Sequence, residues 1–248
     1  MYRMSFGNRD IMVCNPGSSA LTVLLRRYCF DALVDACPIP QARAYLPPGT
    51  CVLIPSTLPI KDVFRVHYED TAMERDGLFI DLLVNGKTLR ICSTHLESLI
   101  AKPPKRPSQL ATSAKFMHQA EASILGGDLN AIEPFDKSLH SDNDLKDAYL
   151  ETGGIEDAES GMTWGQMAAT KEREKFGLTR MDKLMFCGAL EVERFERFGI
   201  DVVVEDKMVA KQMMEEHGLE RPWVTDHLGV RGDFRIVSSP AMVEGSKI

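Results

Sequence analysis

The chain has 248 residues, enough for one large domain or two small ones with a sizeable buried core. With 44% hydrophobic and 26% charged residues it is not a disordered chain, and 18 glycines with 13 prolines exclude collagen-like or low-complexity readings. A net charge of −7 argues against a protein that coats nucleic acid through bulk charge, but it leaves a local grip on one phosphate open. The six cysteines (Cys14, Cys29, Cys37, Cys51, Cys92 and Cys187) are scattered without a C-x-x-C pair and read as reduced, mostly buried thiols. No basic-then-apolar leader opens the sequence, and its apolar runs are too short to span a bilayer. The expectation is a soluble intracellular protein of cytoplasm or nucleus, without a membrane partner.

No repeat and no composition shift divides the chain, so a single domain over 1–248 is expected, of α/β or α+β class. Residues 21–25 and 63–67 read as strands. The clearest element is a hairpin: Leu78, Ile80, Leu82 and Val84 alternate, Asn85-Gly86 supplies a type I′ turn, and Leu89 and Ile91 continue on the return strand. Ser93 and His95 keep the parity of that strand. Three prolines make 102–107 (KPPKRP) a loop, either a local phosphate contact or a solvated charged segment. Ser108 is then expected to cap a helix with Leu110, Ala114 and Met117 on one stripe. A short strand over 122–125 runs into Gly126-Gly127-Asp128. Strands are further expected over 183–186, 201–204 and 229–234, a helix over 206–217 ending at Gly218, and a flexible tail over 237–248.

Polar residues suited to chemistry gather at the ends of these apolar runs, the usual way of building a site on the rim of a sheet. In an extended segment Asp128 and Asn130 would face one ligand together, the carboxylate orienting a water and the amide donating to a phosphate oxygen. The glycines before them would let a backbone or a phosphate approach closely. The same composition also describes an ordinary tight turn. His227, beside Asp226, could stabilise charge developing on a phosphorane-like transition state, with Asp182 as its orienting partner; a surface Asp-His pair is the plain alternative. His95 alone is equally open, since many histidines only satisfy internal hydrogen bonds.

Taken together and in this order, STHLES (93–98), GGDLNAIEPFD (126–136), MTWG (162–165), RMDKLMF (180–186) and TDHLGV (225–230) resemble the endonuclease/exonuclease/phosphatase superfamily. Spacing and flanks are most similar to the 5′-type tyrosyl-DNA phosphodiesterases and related fungal-type members. The resemblance runs over residues 50–236, weakly before His95 and strongly after it. It implies a four-layer α/β/β/α sandwich of two mixed β-sheets with outer helices, a Mg²⁺ or Mn²⁺ cofactor, and hydrolysis of a phosphodiester or phosphomonoester. The implied substrate is a phosphate ester, with DNA ends and nucleotides among the candidates and the substrate class left open; the oligomeric state stays open too.

By the same resemblance, His95 contacts the scissile phosphate and Asp128, with Asn130 beside it, orients or activates the attacking water. Asp182 holds His227, which stabilises the phosphoryl oxygens, and Asp226 belongs to the metal shell. Arg75 falls on an M-x-R segment beside the site. Trp164 lines the substrate groove or is a packing residue. The T-x-N and Q-E motifs that open such proteins, the latter carrying a principal metal-binding Glu, have no match here, and Thr225 replaces the usual Ser. An N-terminally incomplete domain lacking one or two strands is therefore expected, with impaired metal-dependent activity or with none, as a phosphate-ligand binding module of the same fold. Glu74 and Asp76 are the nearest substitute ligands.

Overall fold

The computed structural model describes residues 59–237 and, before them, the backbone of three strands. In chain order the strands are β1 (Arg9–Cys14), β2 (Ala20–Arg27), β3 (Thr50–Leu53), β4 (Ile60–His67), β5 (Asp76–Val84) and β6 (Lys87–His95). They continue with β7 (Ala122–Asp128), β8 (Lys146–Asp147), β9 (Asp182–Gly188), β10 (Leu190–Phe198) and β11 (Gly229–Ile236). The helices are α1 (Arg106–Met117), α2 (Ala148–Glu151), α3 (Thr170–Phe176) and α4 (Lys207–His217).

Two mixed sheets result, as expected. One runs β10-β11-β2-β1-β3 and the other β4-β5-β6-β7-β9-β8. The pairs β1/β3 and β6/β7 are parallel, and the remaining pairings are antiparallel. The sheets pack face to face: Ile80, Leu82, Leu89, Ile91, Ile124 and Phe186 of one meet Leu190, Val230 and Phe234 of the other. Phe186 and Phe234 lie edge to face with ring centroids 5.3 Å apart. On its far face the second sheet buries Phe79, Cys92, Leu125 and Met185 against Leu110, Ala114 and Met117 of α1. Its central strands are thus apolar on both faces. Cys92 and Cys187 are free and buried, and burial pushes the Cys187 thiol up to about 11; the other four cysteines lie outside the residues whose side chains are described.

The hairpin forms as its sequence dictates. Asn85 and Gly86 have φ of 50° and 78°, the paired positive angles of a type I′ turn, and Ile80 faces Ile91 across the strands. The parallel β6-α1-β7 unit brings the ends of β6 and β7 side by side.

Four local expectations change. Helix α1 begins at Arg106, so Pro107 lies in its first turn, where a missing N–H costs nothing; Ser108 does not cap it but donates to the Lys105 carbonyl at 2.8 Å. Residues 201–204 are not a strand: Val203 makes one isolated bridge to Trp223, and Pro222 next to it cannot continue a ladder. Strand β10 was not foreseen. Val237, placed in the expected tail, donates to the Ala189 carbonyl at 3.0 Å, and the rest of that tail lies outside the described residues.

Helix α4 starts and stops where its signals lie. Asp206 accepts from Met208 N at 2.9 Å and Val209 N at 3.0 Å, and Gly218 ends the helix with φ of 63°. Asp206→Ala is expected to cost about 1 kcal/mol, read in a thermal melt as a fall in Tm of about 2–4 °C.

Candidate active site

Three neighbouring strands each place a polar residue at one level. His95 is the last residue of β6, Asp128 the last of β7 and Asp182 the first of β9. In register, His95 lies opposite Asp128, and Asp128 opposite Asp182. The row is possible because Gly127 has no side chain: a Cβ there would lie 1.7 Å from the Thr94 carbonyl oxygen. The expected close approach is therefore real, and it is a neighbouring strand that approaches.

His227 comes from the other sheet, just before β11. Its Nδ1 lies 2.7 Å from Asp182 Oδ2, the pairing expected of the orienting carboxylate. Arg180, the alternative partner of Asp182, instead bonds Asp147 at 2.7 Å and also Glu156. The Asp182 backbone N–H donates to Thr163 Oγ1 at 2.9 Å, and Thr163 O accepts from Leu228 N at 2.7 Å. Thr163 thus ties the segments carrying both members of the dyad.

His227 Nε2 faces two carboxylates, 3.8 Å from Asp128 Oδ2 and 3.9 Å from Asp226 Oδ2. His95 Nε2 is 4.0 Å from the same Asp128 oxygen. Both imidazoles therefore converge on Asp128, which is 1% exposed, while the side chain of Asp226 is 42% exposed at the rim. Asn130 joins them differently from expected. It is not extended: its φ is 48°, its N–H donates to Asp128 Oδ1 at 2.7 Å, and its Nδ2 donates to the Leu96 carbonyl at 3.0 Å. The tight turn and the polar cluster are one object.

Arg75 lies in the loop before β5 and donates from Nη1 to His95 Nδ1 at 2.6 Å and from Nη2 to Ser98 Oγ at 3.0 Å. Burial draws its guanidinium down, opposed by the carboxylates of Glu97 and Asp76. Trp164 is buried, and its Nε1 donates to Asp226 Oδ2 at 3.4 Å. A cavity of about 340 Å³ opens beside Asp226, lined among others by Met167, Met213, Leu219 and Trp223.

The donor set suits a hard cation only in part. Asp128 and Asp226 each bring an oxygen within 4 Å of one His227 nitrogen, though Asp226 is not among the described residues whose ligand atoms gather within 4.8 Å of one another. Among the described residues no glutamate joins them. Glu97 accepts from Thr71 Oγ1, Ala72 N and Gln109 Nε2, Glu74 is exposed, and Asp76 pairs with Arg65 at 3.2 Å. Asp128, Asp182 and His227 also bring ligand atoms within 4.8 Å of one another, but Asp182 is engaged with the imidazole. The basic residues of 102–107 are mostly structural: Arg106 is buried against Asp136 at 2.7 Å and Lys105 pairs with Asp70.

Sequence reasoning found the row and the dyad but gave no part to Thr163, Glu97 or Ser98, although each stands inside a motif already singled out. Strand parity was the available signal for Glu97, two residues past His95.

No protein-family model matches the sequence, and no curated protein matches it either. Solved structures do match. Truncated Caenorhabditis elegans TDP2 is 19% identical, with a TM-score of 0.55 over 74% of this chain and 68% of that one. D. rerio TDP2 complexed with single-strand DNA product is 16% identical, with a TM-score of 0.55 over 72% and 68%. The Bacteroides thetaiotaomicron mannosyl-6-phosphatase Bt3783 is 16% identical, with a TM-score of 0.51 over 71% and 67%. With two mixed sheets packed face to face and the resembling motifs gathered at one rim, the chain has the endonuclease/exonuclease/phosphatase fold.

Proposed function

We propose that the chain is a phosphoric ester hydrolase dependent on a divalent cation, Mg²⁺ or Mn²⁺. The observation that carries this reading is the convergence of His95 and His227 on Asp128, with His227 hydrogen-bonded to Asp182 at 2.7 Å. Asp226 would hold the cation, with Asp128 and Asn130 supplying part of its oxygen shell; when bound, it would offset charge on the phosphoryl oxygens. The chain's own residues do the rest. Asp128 orients the attacking water and accepts its proton, fixed in place by the Asn130 N–H. His227, aligned by Asp182, faces the phosphoryl oxygens from one side, and His95 donates to them from the other. Arg75 supports His95, and Trp164 supports Asp226.

The substrate class is a phosphate ester on a polynucleotide end, a nucleotide or a smaller molecule. The DNA-bound TDP2 and the sugar phosphatase of the same fold support that breadth. The buried free thiols of Cys92 and Cys187 support an intracellular setting, cytoplasm or nucleus, and no described helix is long and apolar enough to cross a membrane. Among the described residues two carboxylates, Asp128 and Asp226, face His227 Nε2 and no glutamate joins them, which favours weak metal binding and impaired turnover. The same donor set also favours the second reading, a phosphate-ligand binding module without catalysis.

Bis(p-nitrophenyl) phosphate and p-nitrophenyl phosphate separate the two readings. Slow release of nitrophenolate that requires Mn²⁺ or Mg²⁺, saturates only at high metal concentration and stops with EDTA is the expected result. Binding of inorganic phosphate without release at any metal concentration would leave the binding module.

A further inference from the structure

Glu97 is a buried carboxylate that the proposed chemistry does not use. It lies 3% exposed, two residues past His95, at the start of the loop after β6. Its oxygens accept from Thr71 Oγ1 at 2.8 Å and from Ala72 N at 3.2 and 3.3 Å. Thr71 Oγ1 in turn accepts from Arg75 N at 2.9 Å and Met73 N at 3.2 Å. Gln109 of α1 clasps the arrangement: its Nε2 donates to Asp70 O at 2.9 Å and to Glu97 Oε2 at 3.2 Å, while its Oε1 accepts from Glu97 N at 2.8 Å. The loop that ends at Arg75 is therefore tied at its root to a carboxylate beside the site.

What Arg75 does there follows from its chemistry. A guanidinium has donors only. A 2.6 Å contact from Arg75 Nη1 to His95 Nδ1 thus requires a lone pair on Nδ1 and leaves the ring proton on Nε2, the nitrogen that faces Asp128. A doubly protonated ring could not accept that bond. With Nδ1 accepting from Arg75, Nε2 is the ring nitrogen that donates toward the cleft.

We propose that Glu97, acting through Thr71, is a positioning residue that holds Arg75 against His95 Nδ1 and so fixes the His95 tautomer protonated on Nε2. The use of that proton, donation to a phosphate oxygen, rests on the hydrolase reading above. The positioning itself does not.

The ring nitrogens of His95 report it directly in long-range ¹H–¹⁵N spectra of the full chain, assigned with His95→Gln. In the parent protein His95 is expected to carry its proton on Nε2 with an unprotonated Nδ1. Thr71→Val, which removes the hydroxyl and keeps the shape, should move both ¹⁵N signals toward their average as the two tautomers mix. Thr71→Ser should restore the parent spectrum, and Glu97→Gln should behave as Thr71→Val does, more weakly. In turnover, Thr71→Val should lower kcat about tenfold with little change in KM, because a donor to the phosphoryl oxygens acts where charge develops in the transition state. A parent His95 protonated on Nδ1, or on both nitrogens, overturns the proposal, as does a Thr71→Val spectrum identical to the parent's. The expected spectra without hydrolysis of any ester uphold the positioning and sink only the hydrolase reading.

Discussion

On the hydrolase reading, Asp128→Asn is expected to lower kcat for a phosphodiester by about a thousandfold at saturating Mn²⁺ while the melting temperature stays near that of the parent. The substitution keeps an oxygen where Asp128 Oδ1 accepts the Asn130 N–H at 2.7 Å, so the turn survives. It replaces the other oxygen, the one 3.8 Å from His227 Nε2 and 4.0 Å from His95 Nε2, with an amide nitrogen that cannot take a proton. Loss of a positioned base is worth about 10²–10⁴ in rate. His227→Ala is expected to fall in a similar range, since removing one transition-state donor costs about 10²–10³ in kcat. The measurement is the initial rate on bis(p-nitrophenyl) phosphate beside a thermal melt of each variant. An Asp128→Asn rate within threefold of the parent would remove Asp128 from the chemistry.

Gly127→Ala should be the most damaging single methyl in the chain's centre. Its Cβ would sit 1.7 Å from Thr94 O and 2.8 Å from the carbonyl carbon, both backbone atoms of the neighbouring strand, so no side-chain rotation relieves it. Strands β6 and β7 must separate at the level of His95 and Asp128. Overpacked cores lose about 1–3 kcal/mol; with backbone as the obstacle, about 3 kcal/mol is expected, with loss of activity well before loss of fold. Gly86→Ala is the comparison. Nothing lies within 4 Å of a Cβ there, and its cost is confined to a φ of 78°, about 1 kcal/mol. Urea midpoints of the two variants rank them, and a Gly127→Ala midpoint no lower than that of Gly86→Ala would contradict the close approach.

Where an element's signal is local, the sequence was legible. The Asn85-Gly86 hairpin, Asp206 and Gly218 around α4, and the run into Gly127-Asp128 needed only turn, cap and period. Strand β10 was hidden by its own irregularity. A bulge between Val192 and Arg194 breaks its period of two, charged Glu191, Glu193, Arg194 and Glu196 fill its outward positions, and Arg197 sits opposite buried Val230. The motif order led to the site residues, but not to how they meet. That Asn130 arrives by a left-handed turn, or that Thr163 rather than Trp164 ties the dyad together, depends on contacts between segments far apart in the chain.

The hydrogen bond between His227 and Asp182 is also a rivet between two sheets. Asp182 opens a strand of the six-stranded sheet, and His227 leads into a strand of the five-stranded one. Four residues beyond Asp182 stands Phe186, and seven beyond His227 stands Phe234, the rings that meet edge to face in the inter-sheet core. The same two strands thus carry an aromatic clamp below and the His227–Asp182 pair above. Any change that tilts or slides one sheet against the other, however remote from the cleft and however apolar, is transmitted along these strands to a 2.7 Å contact with little room to adjust. Core substitutions at this seam are therefore expected to disturb the His227–Asp182 contact as directly as a change in the candidate site itself.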